Sequence, residues 1–442
     1  MKNIARLPWI TLPLLLSVVI MACDPSKKIS GPAPTKPTKP IPGRPEPIDT
    51  VRWTPNTGKP PIKNDPNKPG PRPATGDTYH IGFLLPFLTN QAAGTTVPEK
   101  SRLGLQFYAG AKIALEKISA EEGINLIADV WDTQSTDADF QNLLNNTPRL
   151  QKPALFIGPV RSTHVEIFAE WAKARRKIVL SPESPNSDLT KDNPDFIQLN
   201  PSLQAHCEVI TRYVRQKNKA DAVTLVCRQK EADRLAFFQQ ANTSVGGTTS
   251  LTELIMPDET LNFDKADLRK YLKPGRNNVF VLPSWSSQDF VMAFLRKLKE
   301  VKGSNQVEVY GMPQWKTFES IDAEYFTSLG VHISASSWID YQDPRVKAFQ
   351  DKFYESTGTI PDEDAFNGYD VTLFAASMLV KYGLSFPDKL GRENFSGLHG
   401  DFKFAKVNSE GADSPGGATD YWENKYVHIL KFGKSGFVPV AH

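Results

Sequence analysis

The sequence predicts an α/β protein built from two lobes, and two observations carry this prediction. From Tyr79 onward, short apolar segments typical of buried strands alternate with amphipathic helical segments. This alternation requires mainly parallel sheets that helices cover on both faces. The 364 residues from 79 to 442 are too many for one small sheet and suit two such lobes.

The predicted strands and helices follow one another in a regular order. Strands are expected at 80–85, 126–131, 154–157, 177–180, 222–226, 278–282, 307–310 and 331–334. Helical periodicity is evident at 109–118, 164–174, 205–216 and 290–299. Ligands bind beyond the carboxyl ends of strands in open parallel sheets, so the loops that follow these strands are the candidate binding loops.

The first 22 residues are predicted to be a signal peptide and no part of the fold. Lys2 and Arg6 precede an apolar run that is too short to span a membrane and that suits a secretory signal. Its end, Ile20-Met21-Ala22-Cys23, resembles the lipobox of bacterial lipoproteins. The resemblance implies lipid on Cys23 and a place in the cell envelope facing the periplasm, at the inner or the outer membrane. An ordinary secretion signal is the alternative.

Residues 23–78 are predicted to form the lipidated cysteine and a disordered, proline-rich tether. Fifteen of the 35 prolines lie there and Trp53 is its only aromatic residue, a composition that favours extended polyproline geometry. The tether after Cys23 has ten basic and five acidic residues, whereas residues 79–442 have 40 basic and 44 acidic. A nucleic-acid-binding domain shows the opposite distribution, so no nucleic-acid partner is expected.

The sequence predicts no catalytic, metal or cofactor site. Its seven histidines are scattered without His-Glu-x-x-His or cysteine–histidine spacing, and no Gly-x-Ser-x-Gly or Walker loop is present. We therefore expect a protein that is not an enzyme. Cys207 and Cys227 are an even pair in an oxidising compartment, which allows a disulfide, and two reduced buried thiols are the alternative.

Four stretches, in order along the chain, carry a resemblance to a known family. They are the opening strand with its helix (81–86 and 110–115), the glycine-led loop at 156–163, the strand and loop at 177–190, and the helix start at 365–371. Together they resemble type I periplasmic binding proteins of the leucine/isoleucine/valine-binding branch. The resemblance implies two lobes, 79–200 with 316–395 and 201–315 with 396–442, joined by a hinge that the chain crosses three times and closing around a ligand.

The resemblance also implies that two first-lobe loops hold the ligand. The matching residues are Ser162 on one loop, flanked by Arg161 and Thr163, and Ser184 on the other. Ser162 would donate to a carboxylate, or alternatively cap the following helix. Arg161 would bind a carboxylate or phosphate through two hydrogen bonds, unless it is a surface arginine. Pro185 stands where the family has threonine, so one expected anchor is missing.

The second lobe departs further from the family. Glu231 aligns with an aromatic residue that packs on the ligand in relatives, and the acidic residue that receives an ammonium group has no convincing counterpart. Three tryptophans follow predicted strands and would stack on a ligand, unless they fill core space. These and the remaining candidates for the site or its rim are Trp285, Ser286, Trp315, Trp338, Tyr369 and residues 132–134.

These features predict a solute-binding lipoprotein. Its ligand would be a small polar molecule, such as an amino acid, an amide or a short peptide, held between the lobes for an ABC permease or a sensor. The alternative is a non-transport protein that contacts an envelope enzyme, like the lipoprotein activators of penicillin-binding proteins, which resemble the same fold. The length of the tether favours the alternative.

Overall fold

The structure is a computed structural model that describes residues 46–54, 78–93, 96–259, 263–319, 321–408 and 419–440. The predicted signal peptide, Cys23 and most of the predicted tether lie outside the described residues. Within these ranges, every helix is too short or too polar to span a bilayer.

Strands and helices alternate along the described chain. The helices are α1 (Arg102–Glu122), α2 (Asp137–Asn146), α3 (Ser162–Lys173), α4 (Leu203–Lys217), α5 (Leu235–Ser244), α6 (Gln288–Val301), α7 (Ala323–Ser328), α8 (Pro344–Thr357) and α9 (Glu363–Tyr382). The strands are β1 (Asp49–Trp53), β2 (Thr78–Leu85), β3 (Asn125–Asp132), β4 (Leu155–Ile157), β5 (Ile178–Ser181), β6 (Phe196–Gln198), β7 (Val223–Arg228), β8 (Thr252–Met256), β9 (Asn277–Val281), β10 (Gln306–Gly311), β11 (Val331–Ala335), β12 (Asn394–Ser396), β13 (Asp401–Val407), β14 (Tyr421–Asn424), β15 (His428–Gly433) and β16 (Gly436–Pro439).

The strands form two sheets, one in each lobe. The first has the order β1-β3-β2-β4-β5-β6-β14-β13-β12, and the second has the order β16-β15-β11-β10-β9-β7-β8. Strands β2 to β6 pair in parallel, as do β7 to β11, and the antiparallel pairs lie toward the sheet ends. The central strands are buried almost throughout because helices cover both faces. The predicted two-lobed α/β fold is confirmed.

The chain crosses between the sheets at residues 199–202, 336–343 and 425–427. The predicted second and third lobe limits, at 315/316 and 395/396, differ from these crossings. β11 continues the parallel order of the second sheet by pairing with β10, and β13 and β14 extend the first sheet through β6. Phe402 and Phe404 on β13 pack against Phe374 of α9 in the first-lobe core, which holds this segment in the first lobe.

Part of the predicted tether belongs to the fold. β1 pairs antiparallel with β3, and its side chains alternate between half-buried and exposed. Trp53 packs against the first-lobe core, and Thr50 Oγ1 donates to the buried carboxylate of Asp129 at 2.8 Å. The segment from 49 to 53 has no proline and includes the strand formers threonine, valine and tryptophan, so it can pair where its neighbours cannot.

Helices α1 and α9 cross closely because glycines face the partner backbone on both helices. A Cβ atom on Gly110 would lie 1.9 Å from the carbonyl oxygen of Ala365, and one on Gly368 would lie 2.0 Å from that of Phe107. Any larger side chain would therefore push the helices apart.

We predict that Gly368→Ala lowers the free energy of unfolding by about 3 kcal/mol, since the added methyl group meets backbone that cannot move away. At an exposed helix position, glycine to alanine would raise the free energy of unfolding by about 1 kcal/mol. The sign of the change therefore shows whether the glycine is in close contact with the other helix. Chemical denaturation measures both. Gly391→Ala is the control, because its Cβ would meet only the Trp422 ring at 3.4 Å. An unchanged Gly368→Ala protein would contradict the packing.

We predict that Trp53→Ala destabilises the protein by about 2 kcal/mol, because it removes a half-buried aromatic side chain from the first-lobe core. The neighbouring exposed Thr54→Ala should change stability by less than about 0.5 kcal/mol. Equal stabilities of the two variants in urea unfolding would show that this segment is only a linker.

Candidate functional site

Two serine hydroxyls meet where the loops after β4 and β5 converge. Ser162 opens α3, and its Oγ lies 3.1 Å from Oγ of Ser184, which is almost fully buried. No side chain caps α3, since Arg161 occupies the cap position without bonding the helix. The capping alternative for Ser162 therefore does not hold, and the hydroxyl pair lies beside free N–H groups at the start of a helix.

The neighbours of Ser162 are directed toward α2. The Arg161 guanidinium donates to the carbonyl oxygen of Ser135 and lies 3.6 Å from a carboxylate oxygen of Asp137. Thr163 Oγ1 donates to the same carboxylate at 2.9 Å. Both predicted ligand-binding side chains thus have protein partners in the first lobe, and neither lies with the hydroxyl pair in this structure.

Asp132, predicted as a rim residue, shapes the loop after β2. Its Oδ1 accepts backbone N–H groups from Phe87, Leu88 and Gln134 at 2.9–3.1 Å. Its Oδ2 accepts the N–H and the hydroxyl of Thr89, both at 2.8 Å. With both oxygens occupied, Asp132 positions a loop and has little capacity left for a ligand.

Glu231 is the centre of a buried network on the facing side of the second lobe. Arg228 binds it through Nη2 at 2.7 Å and Nε at 3.1 Å, and Ser284 Oγ donates at 2.7 Å. The nearest guanidinium nitrogen of Arg234 lies 3.5 Å away. Burial opposes ionisation, but the hydrogen bonds from Arg228 and Ser284 outweigh it and lower the pKa of Glu231.

The predicted tryptophans have different environments. Trp315 is fully buried, and its indole N–H donates to the Ser284 carbonyl oxygen, so contrary to the prediction it cannot reach a ligand here. Trp338 packs on the second-lobe core, and its backbone N–H donates to the carbonyl oxygen of His399. Trp285 lines a cavity between the lobes and stands edge-on to His206.

Tyr369 lies away from the cleft, which corrects another prediction. It lines a separate cavity of about 550 Å³ with Ile113 of α1 and Phe349 of α8. Its ring centroid is 4.8 Å from that of Phe349. Asn367, two residues earlier on α9, faces the cleft instead, because positions two apart on a helix point in different directions.

Among the described residues, the cavities at the carboxyl ends of the strands include a hinge cavity, a tryptophan cavity and an arginine cavity. The hinge cavity, about 230 Å³, has first-lobe Glu183 and Asn367 and second-lobe Gln314 and Lys316 in its walls. The tryptophan cavity, about 190 Å³, also has walls from both lobes, and the arginine cavity, about 370 Å³, belongs to the second lobe. The tryptophan cavity is lined by Pro185, Asn186, Leu203, Arg234 and Trp285. The arginine cavity is lined by Arg228, Lys230, Glu231, Arg234, Ser286 and Ser287.

The hinge cavity is acidic and contains an ion pair between the lobes. Lys316 Nζ lies 3.0 Å from Oε1 of Glu363, at the start of α9. Burial and the nearby Asp364 carboxylate raise the pKa of Glu183 to about 7, although Asn367 donates to its side chain. Burial also raises the pKa of Asp364 to about 6. These acidic residues were not predicted.

The second lobe's basic residues were also missed. Arg234 lines both the tryptophan and the arginine cavity, and Lys230 lines the arginine cavity. The signal was present in the sequence, since Arg228, Lys230 and Arg234 follow directly on the predicted strand at 222–226. The positive charge around Glu231 is therefore a feature that the sequence could have predicted.

Cys207 and Cys227 are free thiols buried in the second-lobe core, so the structure has the reduced alternative and no disulfide between them. Burial raises the pKa of both thiols. In the described part of the chain, no three histidine, cysteine or acidic side chains are grouped as metal ligands.

We predict that Glu183→Gln stabilises the protein above pH 7. An acid whose folded pKa is about 7, against about 4.5 when unfolded, loses stability as the pH rises between these values. The variant's advantage should grow by about 3 kcal/mol over that range. Urea unfolding at both ends of the range measures it, with exposed Glu355→Gln as the control. A difference independent of pH would contradict the buried carboxyl.

Comparisons with known proteins agree with this geometry. The model of a family described as periplasmic binding protein matches residues 92–396. No curated protein matches the chain. Similar solved structures include an ABC transporter substrate-binding protein from Desulfitobacterium hafniense in complex with Leu (TM-score 0.53, 16% identity, covering 82% of this chain and 100% of that one).

Two further structures have the same architecture. A putative branched-chain amino acid ABC transporter from Rhodospirillum rubrum has a TM-score of 0.60 at 15% identity, covering 82% of this chain and 100% of that one. A branched chain amino acid ABC transporter periplasmic ligand-binding protein from Burkholderia xenovorans has a TM-score of 0.55 at 16% identity, covering 82% and 94%. At such identities the similarity establishes the fold alone.

The family match spans more than half of the chain and agrees with the two sheets, the three crossings and the cavities between the lobes. This family consists of binding proteins rather than enzymes, and its members act outside the cytoplasm. The chain belongs to the type I periplasmic binding proteins, on the branch that resembles the leucine/isoleucine/valine-binding proteins.

Proposed function

We propose that this protein captures a small polar solute between its lobes. The observation that carries the proposal is that two cavities at the carboxyl ends of the parallel strands have walls from both lobes. A ligand there would contact both lobes at once and favour the closed arrangement. Volumes of about 230 and 190 Å³ suit a molecule of the size of an amino acid, an amide or a short peptide.

The first-lobe chemistry supports a ligand with a carboxylate. Ser162 and Ser184 are hydrogen-bonded to each other, so the pair has one hydroxyl proton left to donate beside the start of α3, where helix N–H groups and the helix dipole attract negative charge. One of the similar structures holds leucine, a ligand with such a carboxylate. Pro185 has no backbone N–H to donate, so the hydrogen bonds of this loop to a ligand depend more on the serine hydroxyls.

Delivery to an ABC permease or a sensor is the role we propose, with Cys23 carrying the lipid anchor. Because β1 joins the first sheet, only residues 24–48 separate that anchor from the domain. At about 3.1 Å per residue this segment reaches at most about 80 Å, roughly half the reach of a tether that runs to residue 78. This shorter reach gives less support to the alternative function, an activator that contacts a distant envelope enzyme.

Thermal unfolding in the presence of amino acids, amides, short peptides and small organic acids tests the proposal. A ligand at a hundredfold excess over its Kd should stabilise the protein by about 2.7 kcal/mol. The double variant Ser162→Ala with Ser184→Ala should weaken binding by about 10-fold or more, because it removes the hydroxyl pair and its hydrogen bond to a charged group. Ser385→Ala, an exposed serine on the first lobe, is the control. A panel without any shift at millimolar concentration would contradict solute capture.

A further inference from the structure

We infer that the second lobe binds an anionic group of the ligand through Arg234, assisted by Lys230. The ligand class that fits both lobes is a short solute with two carboxylates. This inference rests on the proposed function and narrows its ligand class. It differs from what the family resemblance implies, in which an acidic second-lobe residue receives an ammonium group.

Glu231 is unavailable to an ammonium group because its oxygens are already occupied. Oε2 accepts from Nε and the backbone N–H of Arg228 and from Ser284 Oγ, at 3.1, 3.3 and 2.7 Å. Oε1 accepts from Arg228 Nη2 at 2.7 Å and faces Arg234 Nη1 at 3.5 Å. A carboxylate has about four acceptor positions, and the four hydrogen bonds from Arg228 and Ser284 use them. Only 3% of the residue is exposed.

Arg234 has donors to spare. Its Nη1 donates to the carbonyl oxygen of Pro283 at 3.0 Å and is the nitrogen nearest Glu231. Within the described chain, its Nε and Nη2 have no hydrogen-bond partner, and 29% of its side chain is exposed. A guanidinium edge with two free N–H groups matches a carboxylate.

The cavity around Arg234 has an excess of positive charge. Arg228, Lys230 and Arg234 line the arginine cavity against one carboxylate, that of Glu231. Asp258 accepts the backbone N–H of Lys230 at 2.9 Å but does not line this cavity. Two uncompensated cations in a partly closed cavity attract an anion more strongly than they would in open solvent.

The tryptophan cavity has Arg234 in one wall and the loop that contains Ser184 in the other. Pro185 and Asn186 line this cavity together with Arg234, and they directly follow Ser184 of the hydroxyl pair. Consecutive Cα atoms are about 3.8 Å apart, so the Ser184 backbone adjoins the first-lobe wall of the cavity, and a short dicarboxylate is the ligand that the inference requires. Trp285 lines the same cavity and provides an apolar wall for the carbons between.

Isothermal titration calorimetry of the full chain with glutarate, glutamate and leucine tests the inference. We expect glutarate and glutamate to bind more tightly than leucine. Arg234→Ala should weaken glutarate binding by about 30-fold or more, since it removes a charged partner inside the cavity. Exposed Lys230→Glu, which reverses a charge without disturbing the core, should weaken it by about 10-fold.

Arg276→Ala is the matched control, because Arg276 pairs with Asp221 at 2.6 Å and lines none of these cavities. It should change glutarate affinity by less than about twofold. Tight leucine binding that neither Arg234→Ala nor Lys230→Glu alters would overturn the inference and leave solute capture intact. If none of the three solutes binds, and the wider panel also gives no shift, the proposed function itself fails.

Discussion

The close crossing of α1 and α9 is the constraint on which the geometry of the first lobe depends. Gly110 and Gly368 let the two backbones touch, and the contact sets the height of α9 above the sheet. The start of α9 then meets the cleft, where Asn367 bonds Glu183 and Glu363 pairs with Lys316 of the other lobe. Asp370 accepts backbone N–H groups of Leu398, His399 and Gly400 and so ties the loop before β13 to the same helix.

The fold could be predicted from the sequence because its signals are local and repeated. The buried strands β2, β3, β4, β5, β7, β9, β10 and β11 coincide with apolar runs, and the helices between them have clear periodicity. The second and third crossings could not be placed, because β11 and β13 each resemble strands of either lobe until their partners are known. A local sequence pattern does not show which distant strand a given strand pairs with.

The site was predictable only where the backbone alone decides it. Ser162 and Ser184 meet because each follows a central parallel strand, and loops after neighbouring strands converge. The orientations of the Arg161, Trp315 and Tyr369 side chains depend on rotamers and on neighbours distant in sequence. Residue spacing carries no information about either, so these orientations could not be predicted. Glu231 lines the arginine cavity of the second lobe, where Arg228 and Ser284 already occupy its carboxylate.

The docking of β1 decides which lobe an attachment near the N-terminus would restrain. The chain enters the domain along the outer edge of β3, so whatever fixes the residues before 46 fixes the first lobe. The described chain reaches the second lobe through the three crossings. If the proposed anchor on Cys23 and the proposed closure both hold, a membrane receptor would meet a restrained first lobe and could sense occupancy from the position of the second lobe alone.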